Sequence, residues 1–391
     1  MTRARAYLDH NATTPLRPAA REAMVAALGQ GGNASSVHRE GRHARALIEA
    51  ARESLARFVK TQPKNVYFTS GATEALNLAL TPGLELDGNK APFDVLLVSA
   101  GEHAGVLQGH RFPAAAVEKL PLTPDGVLDL AALDTALARH AGRRVLLALQ
   151  AANNETGVLQ PVAAAAGRVQ AAGGALVCDA VQAAGKAACD FAALGADILV
   201  LSAHKIGGPQ GAGALCFAAG RHHIADTIVR GGGQERGLRA GTENVAAIAG
   251  FAAATESLAE AGAIEIARSA KLRDRLERDV LVSAPDVVFF GAGVARLPNT
   301  ANFAVPGVGA EVLLMALDLE GVAVSSGSAC SSGKVKRSHV LEAMSVPSAL
   351  AEGAIRVSFG WSSKEDDVDM FRIAFAKAVE TIRSKRVKPA A

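Results

Sequence analysis

A lysine set between a histidine and a glycine-rich turn is the sharpest chemical signal in this chain. In "LSAHKIGGPQGAGALCF", Leu201 to Phe217, Lys205 follows an apolar run, a frame that a solvated surface lysine does not need. Other apolar runs also close on polar residues. His103 follows the run at 95–99, and Asn153 and Asn154 follow the run at 145–150. Asp179 ends the run at 175–179, with Gln182 just beyond, and Ser202 and His204 close the run at 197–202. An Asp at the end of an apolar strand is costly unless it is paired. In "VYFTSGATEALN" a run passes through a Ser-Gly turn into a helix start. The Ala72 and Thr73 amides and the Thr73 hydroxyl would face whatever sits above that helix N-terminus, a natural phosphate site. A plain helix cap reads the same in isolation, and a lone histidine at a strand end is ordinarily structural. Five strand ends in succession carrying polar groups would instead converge on one mouth of one sheet, where ligands of parallel α/β folds bind.

A ligand that needs a phosphate cup, a buried carboxylate and a lysine is pyridoxal 5'-phosphate. Its aldehyde condenses with an amine, its phosphate needs helix-terminal donors, and a carboxylate keeps its ring nitrogen protonated. Competing motifs fail. "GSACSSGKV" resembles a P-loop, but Val335 stands where a magnesium-binding Ser or Thr belongs. The glycines at 207–213 do not fit the G-x-G-x-x-G of dinucleotide sites.

The elements that must position these residues alternate. Continuous apolar runs at 66–69, 95–99, 145–150, 175–179, 197–202 and 213–217 predict strands buried on both faces. Helical segments lie between them; "PVAAAAGRVQAAG" starts on proline and ends near glycine, the usual helix asymmetry. The fold class is α/β with a mostly parallel sheet. After about residue 260 the pattern changes: "VVFFG", "TANFAVP" and "AIRVSFG" read as strands of a smaller sheet under helices such as "AEVLLMALDLEG". The expected organisation is a large domain over 15–260 and a small α+β domain over 261–391, with residues 1–14 packing on the latter.

The chain has 391 residues, 49% hydrophobic and 20% charged, with a net charge of +3. That charge is too small and dispersed to argue for nucleic acid, and no stretch is long and apolar enough to suggest a membrane span. Cys178, Cys189, Cys216 and Cys330 form no C-x-x-C pair, so no metal site is expected. Free thiols and the absence of a signal-like N-terminal run predict a cytoplasmic setting.

Taken together, "YLDHNATTPLRP", "SSVHREGR", "FTSGATEALN", "NNETG", "SAHKIGGPQGAGAL", "RAGTEN", "SSGSACSSG" and "IRVSFG" resemble, in order and over nearly the whole chain, the fold-type I pyridoxal-phosphate enzymes. Within them the pattern is similar to the cysteine desulfurases of the class V aminotransferase group. The resemblance implies a large domain with a mostly parallel seven-stranded sheet. Carried over, Lys205 matches the lysine that bonds the cofactor. His103 would stack on the ring and shuttle a proton, Asp179 would hold the ring nitrogen, and Gln182 the phenolic oxygen. Ala72, Thr73, Ser202 and His204 would bind the phosphate. Thr242 matches a threonine that completes the neighbouring subunit's cup, which implies a homodimer. Asn154 and Arg356 would hold the substrate carboxylate, a task suited to a planar guanidinium.

Cys330 names the reaction. Cys178 and Cys216 lie inside apolar runs, as packed cysteines do, whereas Cys330 sits among small polar residues. The resemblance implies that its thiolate takes sulfur from L-cysteine, leaving L-alanine and an enzyme persulfide for a sulfur-acceptor protein of iron–sulfur cluster assembly or thiolation. Rivals are another aminotransferase or lyase, such as a selenocysteine lyase, which would not need Cys330, and an idle binding protein, which would not need both Lys205 and Arg356.

Overall fold

The computed structural model describes residues 5–220, 222–326 and 337–387; Cys330 lies outside them. Seven strands form the main sheet: β1 (Val66–Thr69), β2 (Val95–Ser99), β3 (Val117–Leu120), β4 (Val145–Gln150), β5 (Ala175–Asp179), β6 (Ile198–Ser202) and β7 (Gly213–Phe217). Their order is β1-β7-β6-β5-β4-β2-β3. From β6 to β3 every pairing is parallel, and β7 alone runs antiparallel to both of its neighbours. All residues of β1, β2 and β4 to β7 are buried, which is why their sequences are continuous and apolar.

Edge strand β3, with sequence VEKL, was not among the expected strands. It is mostly half-exposed, so it lacks the apolar signal of its neighbours. Helices α1 (Arg39–Val59), α2 (Ala72–Ala79) and the single turn α3 (Ala104–Leu107) lie between or beside the strands.

Helix α4 (Val245–Ser283) runs for 39 residues, about 58 Å at 1.5 Å per residue. Its first half puts Ile248, Phe251 and Leu258 into the core beside the main sheet. Its second half puts Leu272, Leu276 and Val280 into a second core, which also takes Ala6 and Leu8. Residue 260, where the sequence changes character, is inside this helix. The second core covers a four-stranded antiparallel sheet of β8 (Val288–Phe289), β9 (Thr300–Ala304), β10 (Ser325–Ser326) and β11 (Ile355–Ser358), in the order β8-β9-β11-β10. Helix α5 (Glu365–Val387) packs Val368, Phe371 and Phe375 into the same core.

Candidate active site

A cavity of about 550 Å³ opens at the carboxyl ends of the main-sheet strands. Ala72, Thr73, His103, Asn154 and Asp179 line it, together with Gln182, Ser202, His204, Lys205 and Arg356. Thr242 does not line it; it is solvent-exposed, on the segment preceding α4.

Lys205 ends the turn Ala203–Lys205 that leaves β6. Its Nζ donates to the carbonyls of Asn11 at 2.6 Å and Ala12 at 2.8 Å. Burial and the Arg356 guanidinium lower its ammonium to about 8, against the opposing pull of Asp179 and Asp9. The chain then reverses at Gly207, where φ is +83° and a Cβ would come within 2.6 Å of Arg17 Cγ, so a side chain is disfavoured on both counts.

Asp179 ends β5 and accepts from the Val181 amide at 3.0 Å. Burial raises its carboxyl, while the Val181 N–H, His103 and Lys205 favour the ionised form. His103 caps α3, with Nδ1 accepting from the Gly105 amide at 3.0 Å. Nδ1 therefore carries no proton, and the neutral ring bears its proton on Nε2. Burial, with Lys205 and His339 beyond it, lowers the ring's pKa, and Asp179 opposes the change.

Helix α2 begins at Ala72 behind Gly71, and no side chain caps its first turn, so its leading amides remain available as donors. Gly213 of β7 packs against this turn so tightly that a Cβ would come within 2.5 Å of the Gly71 carbonyl carbon. Ser202 and His204 face the same cup. Burial, then Lys205 and Lys186, lower the His204 pKa to about 4, so the cup is built of neutral donors.

Arg356, on β11, is 2% exposed. Its Nη2 donates to Asp9 Oδ1 at 2.8 Å and its Nη1 to the Asn154 carbonyl at 2.9 Å. Its buried Nε has no partner. Two of the guanidinium's five N–H donors are thus tied to the chain, and three are left over, one of them on the buried Nε.

The residues fit pyridoxal phosphate. An uncapped helix N-terminus with hydroxyl and imidazole donors suits a phosphate. Asp179 is placed as an acceptor for a protonated ring nitrogen, and Lys205 supplies an amine with a lowered pKa.

Sequence reasoning gave no role to the segment Asp9–Thr13, which supplies the carbonyls on Lys205 and the carboxylate on Arg356. The signals there were a polar run after Ala6–Leu8 and the resemblance of "YLDHNATTPLRP", neither of which assigns a role to a residue. It also passed over Glu102, fully buried beside His103, whose Oε1 accepts from the Gln150 amide at 2.9 Å and whose carboxyl burial pushes well up.

A strand-end cavity on a doubly wound sheet, with a lysine opposite a carboxylate, defines a fold-type I pyridoxal-phosphate enzyme. The chain belongs to the class-V aminotransferase family, whose model matches residues 6–371. It is 40% identical over 370 residues to an IscS-like cysteine desulfurase of Mycobacterium tuberculosis, covering 93% of each chain. It is 38% identical over 387 residues to a cysteine desulfurase of Sinorhizobium fredii, covering 97% of this chain and 98% of that one. Among solved structures, a NifS-like protein from Rickettsia africae superposes with a TM-score of 0.86 at 32% identity, over 96% of this chain and 100% of that one.

Proposed function

We infer that this chain is a cysteine desulfurase. It takes sulfur from L-cysteine, releases L-alanine, and holds the sulfur as a persulfide on Cys330 for an acceptor protein of iron–sulfur cluster assembly or thiolation. The observation that carries this is the joint placement of Lys205, Asp179 and Arg356 around one cavity.

Pyridoxal phosphate, when bound, supplies an electron sink for the substrate's Cα–H bond. The chain's own residues do the rest. Ala72, Thr73, Ser202 and His204 would hold the cofactor's phosphate, Asp179 and Gln182 would bond its ring nitrogen and phenolic oxygen, and His103 would pack on the ring. Arg356 and Asn154 orient the amino acid by its carboxylate, a task that the guanidinium's remaining donors suit. Lys205, with its lowered pKa, carries a proton at Nζ between steps.

Cys330 takes the sulfur. Ser325 of β10 pairs in register with Arg356. Ser338 donates to the carboxylate of Glu155, next to Asn154. Both flanks of the segment bearing Cys330 are therefore tied beside the groups that hold the substrate. Cys330 lies four positions after Ser326, a contour of at most about 14 Å. The Cys330 thiolate bonds to the substrate sulfur as the substrate's carbon–sulfur bond breaks. The electron pair stays with carbon, and a proton completes the methyl group of alanine. No outside oxidant is needed.

The working form is a homodimer in which exposed Thr242 reaches the partner subunit's phosphate cup, and the setting is the cytoplasm. Among the described residues no helix is long and apolar enough to cross a membrane. The described cysteines Cys178, Cys189 and Cys216 are all free thiols.

The test is turnover of L-cysteine by the purified protein. Alanine and transferable sulfur in equal amounts are expected; pyruvate and ammonia in place of alanine would contradict the assignment.

A further inference from the structure

Lys186 is a lysine with no carboxylate partner among the described residues. It does not line the active-site cavity but a small second one, with Arg17, Glu265 and Lys205, the last of which lines both. The Glu265 carboxylate is taken by both ends of the Arg17 guanidinium, at 2.8 and 2.6 Å. The Lys186 Nζ instead donates to Gln182, to its backbone carbonyl at 3.2 Å and its side-chain Oε1 at 3.0 Å. Tight turns after β5 bring the two together: Ala184 donates to the Ala180 carbonyl and Lys186 to that of Ala183. Residues four apart on such turns lie one above the other.

A side-chain amide has two ends of nearly equal shape, and its partners decide which way it points. An ammonium has no lone pair, so only Oε1 can face it, whereas a neutral amine could also accept from Nε2; the lock therefore belongs to the charged form of Lys186, whose pKa burial, then Lys205 and Arg356, lower to about 7. With Oε1 held toward Lys186, the Gln182 Nε2 is turned the other way. One of its N–H groups reaches the Asn11 carbonyl at 3.0 Å, the same oxygen that takes the Lys205 Nζ. The other N–H is left for the cavity that Gln182 lines.

We propose that Lys186 is a positioning residue: it locks the Gln182 amide with its donor face toward the cofactor's phenolic oxygen. The proposal rests on the reading that Gln182 faces that oxygen. Without Lys186 the amide keeps only its bond to the Asn11 carbonyl, and the orientation that turns its donor face to an electron-rich oxygen loses one of its two anchors.

The test is equilibrium titration of the full-length apoprotein with pyridoxal phosphate, followed by visible absorption and protein fluorescence. Lys186→Met is expected to weaken binding about tenfold, equivalent to about 1.4 kcal/mol, and Gln182→Ala by a similar factor. The double variant should bind no more weakly than Gln182→Ala alone, because Lys186 acts through Gln182. A general electrostatic attraction of the anionic cofactor would survive in the Gln182→Ala background, so a further loss there would overturn the proposal. Weakened binding in Gln182→Ala with none in Lys186→Met would overturn it alone. Unchanged binding in Gln182→Ala would overturn the cofactor contact together with the proposal. If Lys186→Met does not fold, Lys186→Ala enters the same cycle with the same expectations.

Discussion

The main sheet and the small sheet furnish the two sides of one cavity by different means. On the main-sheet side, polar residues stand at strand ends and are held by their own neighbours: Asp179 by the amide of Val181, His103 by that of Gly105, each two positions along the chain. On the small-sheet side one arginine projects inward, and its partners are distant: Asp9 lies 347 positions away and Asn154 lies 202. The main-sheet half is built by strand-end turns that each form locally. The small-sheet half exists only once the N-terminal segment, both sheets and the 145–158 region have come together. On the proposed reading the local half would hold the cofactor and do proton chemistry, and the long-range half would read the substrate.

That division can be broken or sharpened by substitution. The largest effect is expected at Lys205. Lys205→Ala should leave no borohydride-fixed adduct at position 205 and lower turnover by at least about 10²–10⁴-fold, the range lost with a proton-transferring group. A reducible adduct on another active-site lysine would break the assignment. Arg356→Lys should leave cofactor content unchanged and raise KM for cysteine roughly ten- to a hundredfold, from about 1.5–3 kcal/mol per charged hydrogen bond. Loss of cofactor in that variant would mean the two halves are not separable.

The pH profile is the next test. In the proposed reaction the neutral amine of Lys205 is the nucleophile, and burial, then Arg356, lower its pKa from 10.5 to about 8. Capture of pyridoxal phosphate by the apoprotein should therefore speed up about tenfold from pH 7 to 9 and then level off. A rate still climbing at pH 10 would contradict the lowered value. The smallest effect is expected at Thr242. Thr242→Ala should weaken cofactor retention roughly two- to tenfold, the scale of one hydrogen bond, in a protein that light scattering finds dimeric. A monomer retaining full cofactor would exclude a role across the interface.

The same contrast explains what could be read from the sequence. Strand-end residues announce themselves because an apolar run followed by a polar side chain is a local pattern; Ser202, His204 and Lys205 needed only their own stretch. Asn11 and Ala12 bond Lys205 through their carbonyls, and every residue has a carbonyl, so their side chains give nothing away. Lys186 was given no role from the sequence, because its isolation from carboxylates emerges only when Arg17 takes Glu265. Strand β3 was hidden by its polar, half-exposed edge position, and the reversed direction of β7 by an apolar run that looks alike in either direction. Arg356 was found through the resemblance of "IRVSFG", not through anything in its local pattern.

The most direct test of the account is Cys330→Ala. Lys205, Asp179 and the phosphate cup are built by other segments, so this variant should bind pyridoxal phosphate at full occupancy and change its visible spectrum when cysteine is added. It should form no persulfide, detected by mass spectrometry as one added sulfur at position 330 in the unsubstituted protein, and almost no alanine, because the serines around Cys330 are poor nucleophiles at neutral pH. Alanine production by Cys330→Ala at the rate of the unsubstituted protein would contradict sulfur capture by this thiol and move the assignment to a lyase.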